Sequence, residues 1–317
     1  MSIRQITVFG GSGFVGRGIV RSLARQGYLI KAASRRIELA EALMTAGDVG
    51  QIMVVRANLR MPQSVAAAIA GSQAVVNAAG IPFQRGRQRY QAVHVEGAKT
   101  IAAVAAAFGV ERVIHISGLG TDQRSTRNRY IQSKIGAEDA IVRGFEKATI
   151  LRPSVVFGPG DAMFSRLASI AASAPVLPLA GKGLATVQPV FVGDVGDAVV
   201  AALARPDAAK NVFELGGPRV YTYREIAALV LREIDRKKPI IGVPAGLMKF
   251  GAFFAQFLPV PPITPDQVEL MTLDNVVRPG ALNLATLGIE PTAAEAILPD
   301  YLDRFRVGGR YNHHAPA

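Results

Sequence analysis

Cysteine is absent from the chain of 317 residues. This absence excludes a disulfide framework, a thiolate metal site and a catalytic thiol. Histidine is scarce too, and the four histidines have no metal-ligand spacing to nearby carboxylates, so we expect no bound metal. These residues are His94, His115, His313 and His314.

Long apolar runs are also lacking. The longest apolar stretch, residues 240–258, is interrupted by Pro244 and contains Lys249 and Gln256. A membrane-spanning helix needs about 20 predominantly apolar residues, so no span is predicted. A strand-like run follows Met1 almost at once, without a signal-peptide pattern. We therefore expect a cytoplasmic protein of a bacterium; a mature organellar matrix protein whose transit peptide is gone would fit as well.

Acidic residues are the minority: 24 Asp and Glu stand against 36 Lys and Arg, for a net charge of +12. Such an excess favours anionic partners, such as nucleotide phosphates, an acidic protein surface, anionic lipid or nucleic acid. The basic clusters at 85–89, 124–129 and 232–238 are not interleaved with the stacking aromatic residues that single-stranded nucleic-acid binders use. We interpret these clusters as charged surfaces exposed to solvent, and no nucleic-acid partner is expected.

Strand-like and helix-like segments alternate through the first half of the chain. Apolar runs covered on both faces, joined by helices, predict right-handed βαβ units. The predicted fold is α/β: a Rossmann-type doubly wound parallel sheet with helices on both faces and a small C-terminal α/β lobe. The predicted strands are Ile3–Phe9, Tyr28–Ala33, Gln51–Val55, Ala74–Ala78, Arg112–Ile116, Ala148–Leu151 and Asn211–Leu215, and the predicted helices are Phe14–Arg25, Ile37–Ala46, Pro62–Ala70, Tyr90–Phe108, Tyr130–Phe145, Asp194–Ala204 and Tyr223–Ile234.

The amino-acid composition changes after Arg152, where prolines become frequent. We predict a nucleotide-binding domain over residues 1–152, completed by returning segments around 187–215. Residues 153–306 mainly form the small lobe. Residues 307–317 have little apolar content and are expected to be a flexible tail.

A glycine-rich loop lies between the first predicted strand and the first predicted helix. In this position the glycines allow a tight turn, close approach to a pyrophosphate and packing of helix on strand. The N-terminus of the helix then offers N–H groups to the phosphates. The loop reads Gly10, Gly11, Ser12, Gly13, Phe14, Val15, Gly16.

The second predicted strand indicates which coenzyme binds. It ends in Ser34-Arg35-Arg36, and no acid occurs before Glu38. A carboxylate here would bind the ribose hydroxyls of NAD, whereas guanidinium groups pair with the 2′-phosphate of NADP. We therefore predict NADPH (NADP+) as the cofactor. The alternative is that both arginines only solvate a loop.

Two further strand ends are candidate cofactor contacts. Asn58 and Leu59 follow the third strand, where a side chain can reach the adenine. Ala78, Ala79 and Gly80 close the fourth strand, near the point where the strand order reverses, and their small size leaves room for the cofactor. Either stretch could equally be an ordinary strand end.

Together these motifs resemble the short-chain dehydrogenase/reductase superfamily, in its extended and atypical branches. The resemblance rests on the glycine loop, on the Asn77–Gly80 tract and on the motifs Tyr130-Ile-Gln-Ser-Lys134 and Leu151–Asp161. It implies that Tyr130 donates or accepts the substrate proton. It also implies that Lys134 binds the nicotinamide ribose and lowers the pKa of the tyrosine. Ser117, Pro153 and Val155 are implied as further cofactor contacts.

The third catalytic group of that superfamily is out of place. Aligned on the fifth strand, Ser117 falls one position early and Gly118 occupies the position of the catalytic hydroxyl. Losing one oriented donor typically costs about 10²–10³-fold in rate. Thr121 or Ser125 could substitute. The chain thus carries a Tyr-Lys dyad without a complete triad, so it could bind cofactor without turnover.

The C-terminal half resembles one atypical branch more closely. The tract Pro262–Leu270 and the tetrapeptide Asp274–Val277 are similar to the NADPH-binding accessory subunit of respiratory complex I (the alpha subcomplex subunit nine family) and its bacterial relatives. The resemblance implies a cofactor-holding accessory or assembly protein. Its partners would be complex I subunits or the membrane surface, and its location the cytoplasmic face of the inner membrane. The alternative is an active NADPH-dependent oxidoreductase or epimerase on a small carbonyl, sugar or quinone-pathway substrate.

A segment rich in phenylalanine, residues 246–258, predicts a helix with a wide apolar stripe. Its thin polar face favours a helix packed inside the small lobe. The other interpretation is a helix that lies on a bilayer or a partner subunit. The oligomeric state stays open.

Overall fold

The computed structural model describes residues 3–123, 125–258, 261–306 and 308. Over these residues the chain divides into two compact units. The first comprises the described residues within Met1–Pro153, Val192–Leu215 and Arg278–Glu290, and the second comprises those within Ser154–Phe191, Gly216–Val277 and Pro291–Ala317. Apart from Gly308, the tail predicted at 307–317 lies outside the described residues, as do Pro259 and Val260.

The described strands follow the apolar runs of the sequence. In chain order they are β1 (Gln5–Phe9), β2 (Leu29–Ser34), β3 (Ile52–Arg56), β4 (Ala74–Asn77), β5 (Arg112–Ile116), β6 (Thr149–Pro153), β7 (Val156–Phe157), β8 (Leu177–Ala180), β9 (Thr186–Val187), β10 (Val190–Phe191), β11 (Val212–Leu215), β12 (Tyr221–Thr222) and β13 (Ile240–Val243).

The described α-helices occupy most of the intervening segments. They are α1 (Phe14–Arg25), α2 (Pro62–Ile69), α3 (Glu96–Ala107), α4 (Arg129–Gly144), α5 (Met163–Ser173), α6 (Val192–Ala204), α7 (Tyr223–Glu233), α8 (Ala245–Ala255), α9 (Pro265–Leu270) and α10 (Ala294–Leu302). Among the described residues, no helix combines the length and the hydrophobicity needed to cross a bilayer.

The first unit is built on a parallel seven-stranded sheet in the order β11-β6-β5-β4-β1-β2-β3. Ile6 of β1 pairs with Ile30 of β2 on one side and with Ala74 of β4 on the other. The strand order therefore reverses between β1 and β4, where a crevice opens at the carboxyl ends of the strands. The predicted doubly wound Rossmann-type sheet is confirmed.

Helices cover both faces of this sheet. Thr7 and Phe9 of β1 face α2, since the Thr7 hydroxyl donates to the carbonyl of Ala68 at 2.9 Å. Residues alternate between faces along a strand, so the buried Ile6 and Val8 face the opposite layer. That layer contains α1 and α6, which pack closely because Gly18 has no side chain to collide with Val192.

One predicted helix of this unit is wrong in type. The segment Ile37–Ala46 forms two 3-10 helices, Ile37–Leu39 and Glu41–Ala46. Its buried residues Ala40 and Leu43 are three positions apart, a spacing that a 3-10 turn places on one side. The helix predicted at Tyr90–Phe108 forms, but its first turn, Gln91–Val95, is a π-helix.

The second unit is a small α/β assembly. Its strands pair as β10-β7 and β13-β8, both parallel, and as the antiparallel β12-β9. Helices α5, α7 and α10 contribute to its main hydrophobic core, together with Phe157 and Leu177. Capping boxes at Thr222 and Thr264 fix the starts of α7 and α9.

The phenylalanine-rich helix packs on this lobe, as its thin polar face favours, but its phenylalanine stripe is not buried there. Helix α8 forms where it is expected, but Ala252 is its only buried residue among those described. Its large apolar side chains stay exposed, because the side of the helix that packs on the unit carries mainly small residues.

Candidate functional site

The glycine loop forms a cradle at the carboxyl end of β1. Gly10 has φ of +77°, and a Cβ there would lie 2.8 Å from the backbone of Ala78 and Ala79. A Cβ on Gly16 would lie 2.0 Å from the carbonyl oxygen of Gly10. Both positions therefore require glycine, and the backbone is left bare where a ligand can approach.

Helix α1 begins directly behind this cradle. Gly13 is its N-cap and supplies no side-chain hydrogen bond, and no acidic residue occupies the first turn. The N–H groups of Phe14, Val15 and Gly16 are thus available to an anion, with the helix dipole favouring negative charge. A pyrophosphate fits this arrangement.

The end of β2 forms the next part of the site. Ser12 and Ser34 share a hydrogen bond of 2.8 Å between their hydroxyls, and the Ser34 hydroxyl donates to the carbonyl of Arg36 at 2.8 Å. These bonds hold the loop that carries Arg35 and Arg36. Burial lowers the pKa of Arg35, and the positive charges of Arg36 and Arg60 lower it further.

Arg60 is the residue of this cluster that sequence reasoning missed. It follows β3, and the Asn58 side chain accepts a hydrogen bond from its backbone N–H at 3.2 Å. Three arginines from two loops thus line the same cleft, and no acid is among the residues that perturb Arg35. The Arg60 guanidinium also donates to the carbonyl of Arg87 at 3.4 Å. A concentration of like charge of this kind suits a bound phosphate. The signal that could have revealed Arg60 is its position directly after Asn58 and Leu59, the strand end already predicted to contact the cofactor.

A single cleft joins these parts. It contains most of the residues predicted to touch the cofactor, and it adds Arg60, Ile81, Gln88 and Val93, which had no recognisable motif. The Gln88 side-chain oxygen is buried without a partner in the described structure, so it is available to accept a hydrogen bond. The cleft is lined by Phe9, Gly10, Ser12, Gly13, Ala33, Ser34, Arg35, Arg36, Ala57, Asn58, Leu59, Arg60, Ala78, Ala79, Gly80, Ile81, Gln88 and Val93.

The Tyr-Lys dyad lies on α4, and its Lys134 lies next to Gly80 at one end of the cleft. The Asn128 side chain caps this helix by accepting from the N–H groups of Tyr130 and Ile131. Lys134 Nζ donates to the carbonyl of Ile116 at 3.3 Å, and a Cβ on Gly80 would lie 3.7 Å from Nζ. Burial lowers the pKa of Lys134 to about 8, although the charge of Glu138 opposes this shift.

Tyr130 is packed against two other rings. Its ring centroid lies 5.7 Å from that of Tyr90 and 5.8 Å from that of His94, both edge-on. Burial raises the pKa of the Tyr130 hydroxyl. Burial is the cause of this shift, and the lowering of the Tyr130 pKa by Lys134 that the superfamily resemblance implies is not among its causes.

His94 is held as a neutral imidazole beside the dyad. Its Nε2 accepts from the N–H of Ile81 at 3.0 Å, so its Nδ1 carries the proton and donates to Ser133 Oγ at 2.8 Å. Burial lowers its pKa to about 3, and the Lys134 charge contributes. His94 thus ties the π-helical turn to the cleft wall and to α4.

The end of β5 carries two buried polar groups without partners among the described residues: the Ser117 hydroxyl and Nε2 of His115. Asn77 accepts from the N–H of Ala79 and so donates to Nδ1 of His115, which leaves the proton of His115 on Nε2. Burial, with the charge of Lys134, lowers the pKa of His115 to about 3. Orphaned buried donors of this kind are expected where a ligand or water belongs.

The possible substitutes for the missing catalytic hydroxyl are placed elsewhere. Thr121 donates to a carboxylate oxygen of Glu138 at 2.8 Å and is buried. Ser125 is exposed. Gly118 lies beside Pro153, whose carbonyl accepts from the N–H of Leu119 at 3.0 Å. Val155 belongs to the second unit, where its carbonyl accepts from the N–H of Val190 at 3.0 Å.

An ionic network supports the helix of the dyad from within. Arg152 donates to both carboxylate oxygens of Glu138, at 3.0 and 2.7 Å. Arg152 also lies 3.9 Å from Glu214, which pairs with Arg278 at 2.6 Å. The buried carboxylates are balanced, so the network connects α4, β6 and β11 without an unpaired charge. No sequence motif indicated it.

Comparison with known proteins is consistent with this geometry. Residues 6–216 match the model of the NAD dependent epimerase/dehydratase family. The UDP-glucuronic acid 4-epimerase of Bacillus cereus, solved in complex with UDP-glucuronic acid and NAD, superposes with a TM-score of 0.73 at 17% identity, over 95% of this chain and 98% of the epimerase. At this identity the likeness concerns the fold.

The curated relatives give a closer match. The 40 kDa subunit of the mitochondrial NADH-ubiquinone oxidoreductase of Neurospora crassa is 32% identical, over 96% of this chain and 80% of that protein. The Arabidopsis thaliana NADH dehydrogenase [ubiquinone] 1 alpha subcomplex subunit 9 is 30% identical, over 96% of this chain and 78% of that protein. The ceramide reductase of Caulobacter vibrioides is 29% identical, over 78% of this chain and 76% of the reductase.

Proposed function

Because this chain belongs to the NAD dependent epimerase/dehydratase family, we propose that it binds NADPH and serves as an accessory or assembly protein of a respiratory NADH:ubiquinone oxidoreductase. In this proposal it is bound peripherally at the cytoplasmic face of the inner membrane. The observation that carries the cofactor assignment is the cluster of Arg35, Arg36 and Arg60 at the end of a bare glycine cradle.

Each part of the dinucleotide has a chemically matched region of the cleft. The pyrophosphate would bind the free N–H groups at the start of α1. The 2′-phosphate would pair with the three guanidinium groups. The nicotinamide end would lie by Gly80 and Lys134, where the Ser117 hydroxyl is a buried group still without a partner in the described structure. When bound, the coenzyme can supply hydride-transfer chemistry.

An accessory role is favoured over efficient catalysis by the catalytic end of the cleft. Gly118 offers no hydroxyl, and the hydroxyl of Thr121 is used within the protein. The raised pKa of Tyr130 makes this phenol a poorer proton donor than a tyrosine whose pKa lies closer to neutrality. The relatives that match over most of the chain and are named as oxidoreductase subunits support the same role.

Mass spectrometry of the native protein as purified, followed by calorimetry on ligand-free protein, tests the cofactor assignment. We expect a retained mass of NADP(H) and a markedly lower Kd for NADPH than for NADH. Equal Kd values for the two coenzymes would refute the assignment.

The accessory role has a separate test in the source organism. We expect the protein to migrate with the assembled NADH:ubiquinone oxidoreductase on native gels, and its deletion to lower the amount of assembled enzyme. Normal assembly in the deletion strain, with no co-migration, would contradict the role while leaving the cofactor assignment intact.

A second candidate function, NADPH-dependent reduction of a small carbonyl, is favoured by the dyad itself. Tyr130 and Lys134 are four residues apart on one helix face, and Lys134 lies beside Gly80 of the cleft. This function predicts substrate-dependent NADPH oxidation that Tyr130→Phe abolishes. Absence of turnover across a panel of carbonyl substrates would exclude it from consideration.

A further inference from the structure

Helix α8 carries an apolar surface on the outside of the second unit. The large hydrophobic residues of this surface come from α8 and from the turn that follows it, and they are 50% to 74% exposed. We call this surface the phenylalanine patch, and it consists of Leu247, Phe250, Phe253, Phe254, Phe257 and Leu258.

The inner side of α8 is also apolar. Ala252 and Met248 pack with Ala180, Val268 and Met271 of the same unit. A helix with apolar residues on two opposite sides is normally covered on both of them. We therefore expect the outer side of α8 to contact another molecule.

The outward side chains form a continuous surface. At 100° per residue, Leu247, Phe250, Phe253 and Phe254 fall within an arc of about 120° that contains no polar side chain. The ring centroids of Phe250 and Phe254 are 5.2 Å apart, and those of Phe253 and Phe257 are 5.8 Å apart. The rings contact one another edge-on, so the surface is preformed.

The size of the patch sets it apart from ordinary exposed residues. Four half-exposed phenylalanines present roughly 400–600 Å² of apolar surface. That area is at the upper end of the largest patches on typical monomers, and patches of this size mark protein or membrane contacts.

Two properties distinguish a bilayer from a protein partner. Protein interfaces carry about one hydrogen bond per 100–200 Å² and a polar rim, whereas the outward arc of α8 offers no hydrogen-bonding side chain. Lys249 at one margin is paired with Glu269 at 2.9 Å, so its charge is balanced, whereas two other cations lie close to the ends of the patch. Lys182 lies in the turn against Gly242, just before α8, and Arg166 donates to the carbonyl of Pro262, just after the patch.

We propose that the phenylalanine patch binds the surface of an anionic lipid bilayer, with its rings at the boundary between headgroups and acyl chains. Lys182 and Arg166, and the net charge of +12, favour anionic headgroups. Isolated interfacial helices need a charged face that stays in water. In α8 that face is replaced by the second unit, on which the helix packs. This binding is independent of NADPH.

The test is flotation of the purified full chain with vesicles of phosphatidylethanolamine and phosphatidylglycerol, and with vesicles of phosphatidylcholine alone. We expect binding to the first and weaker binding to the second. The variant Leu247→Ser/Phe250→Ser should bind about 100-fold more weakly, because each apolar side chain contributes about tenfold or more. Phe250→Leu/Phe254→Leu should keep most of the binding.

The control variant is Phe108→Ser/Leu282→Ser, which removes one exposed phenylalanine and one exposed leucine from the first unit. It should bind vesicles as the wild type does. An unchanged NADPH Kd in the patch variant verifies that the protein is folded and separates this result from the cofactor test.

Three results would overturn the proposal. They are failure of the wild type to bind anionic vesicles, full binding by the patch variant, and equal loss in the control variant. If vesicles are not bound but the patch variant loses self-association or co-migration with the respiratory enzyme, the cover is a protein and the proposal is wrong.

Discussion

The side chain of Lys134 reaches from α4 to β5, where its Nζ donates to the carbonyl oxygen of Ile116 at 3.3 Å. This bond places the ammonium group of the dyad at the carboxyl end of the sheet, beside Gly80. The ammonium group is buried there, and burial disfavours its charged form. The pH dependence of the unfolding free energy should therefore report on this lysine.

Lys134 predicts a pH dependence on the alkaline side. Its pKa is 10.5 in an unfolded chain and about 8 in the folded protein. Between these values the unfolded state binds more protons, so raising the pH stabilises the folded state. The unfolding free energy of the wild type minus that of Lys134→Met should therefore rise between about pH 8 and pH 10.5, as measured by urea unfolding. A flat difference would mean that the lysine is solvated.

The two buried histidines predict a loss of stability in acid. Both His94 and His115 have a pKa of about 3 in the folded protein against 6.5 ordinarily. Below pH 6.5 the unfolded chain takes up protons that the folded protein refuses, so stability falls by about 1.4 kcal/mol per pH unit for each histidine. Urea unfolding of His94→Gln should show about half of that dependence. An unaltered slope in this variant would contradict the buried neutral imidazole.

Arg60 should determine coenzyme preference together with Arg35 and Arg36. Arg60→Ala removes one charge-assisted contact and should weaken NADPH binding about tenfold while leaving the Kd of NADH nearly unchanged. Calorimetry at two salt concentrations measures both values. Arg143→Ala, on the exposed end of α4, is the matched control and should change neither. Equal weakening of both coenzymes in Arg60→Ala would place Arg60 outside the phosphate site.

Gly10→Ala should abolish coenzyme binding. The new Cβ would lie 2.8 Å from the backbone of Ala78, at a φ of +77°. Gly27→Ala is a close control, because Gly27 has φ of +78° but nothing within 4 Å. Both variants pay about 1–2 kcal/mol for the left-handed backbone, yet only Gly10→Ala distorts the cradle. NADPH binding by both variants, or by neither, would count against the steric argument.

Glu138 should matter for stability far more than an exposed acid of similar geometry. Glu138→Gln leaves Arg152 buried without its main carboxylate and should cost about 3 kcal/mol in the free energy of unfolding. Asp197→Asn breaks the exposed pair with Arg25 and should cost less than about 1 kcal/mol. Urea unfolding compares them directly. Similar costs would mean that the buried network is hydrated.

Elements with strong local signals could be predicted closely. Helix α1 spans Phe14–Arg25 and β5 spans Arg112–Ile116, both as expected from glycine placement and apolar runs. The segment at Ile37–Ala46 was misjudged, because its composition suits a helix, while Ala40 and Leu43 are the buried residues among the side chains described there. There the tertiary contacts overrode local propensity.

The candidate site divides in the same way. The glycine cradle and the Tyr130–Lys134 pair are contiguous in sequence, so spacing alone revealed them. Arg60 joins Arg35 only because β2 and β3 are neighbours in the sheet. The neutral state of His94 depends on hydrogen bonds to Ile81 and Ser133, which come from different elements.

The sequence by itself determined the Rossmann-type sheet and its dinucleotide loop, because both depend on local rules: which residues tolerate a positive φ, and with what period apolar residues recur. Only the tertiary structure decided that Arg60 completes a cationic cluster, that Glu138 and Arg152 are buried together, and that the phenylalanines of α8 face outward. A helical period gives the direction of an apolar face along the helix axis. It does not say which neighbour covers that face, since this depends on the packing of segments distant in the chain.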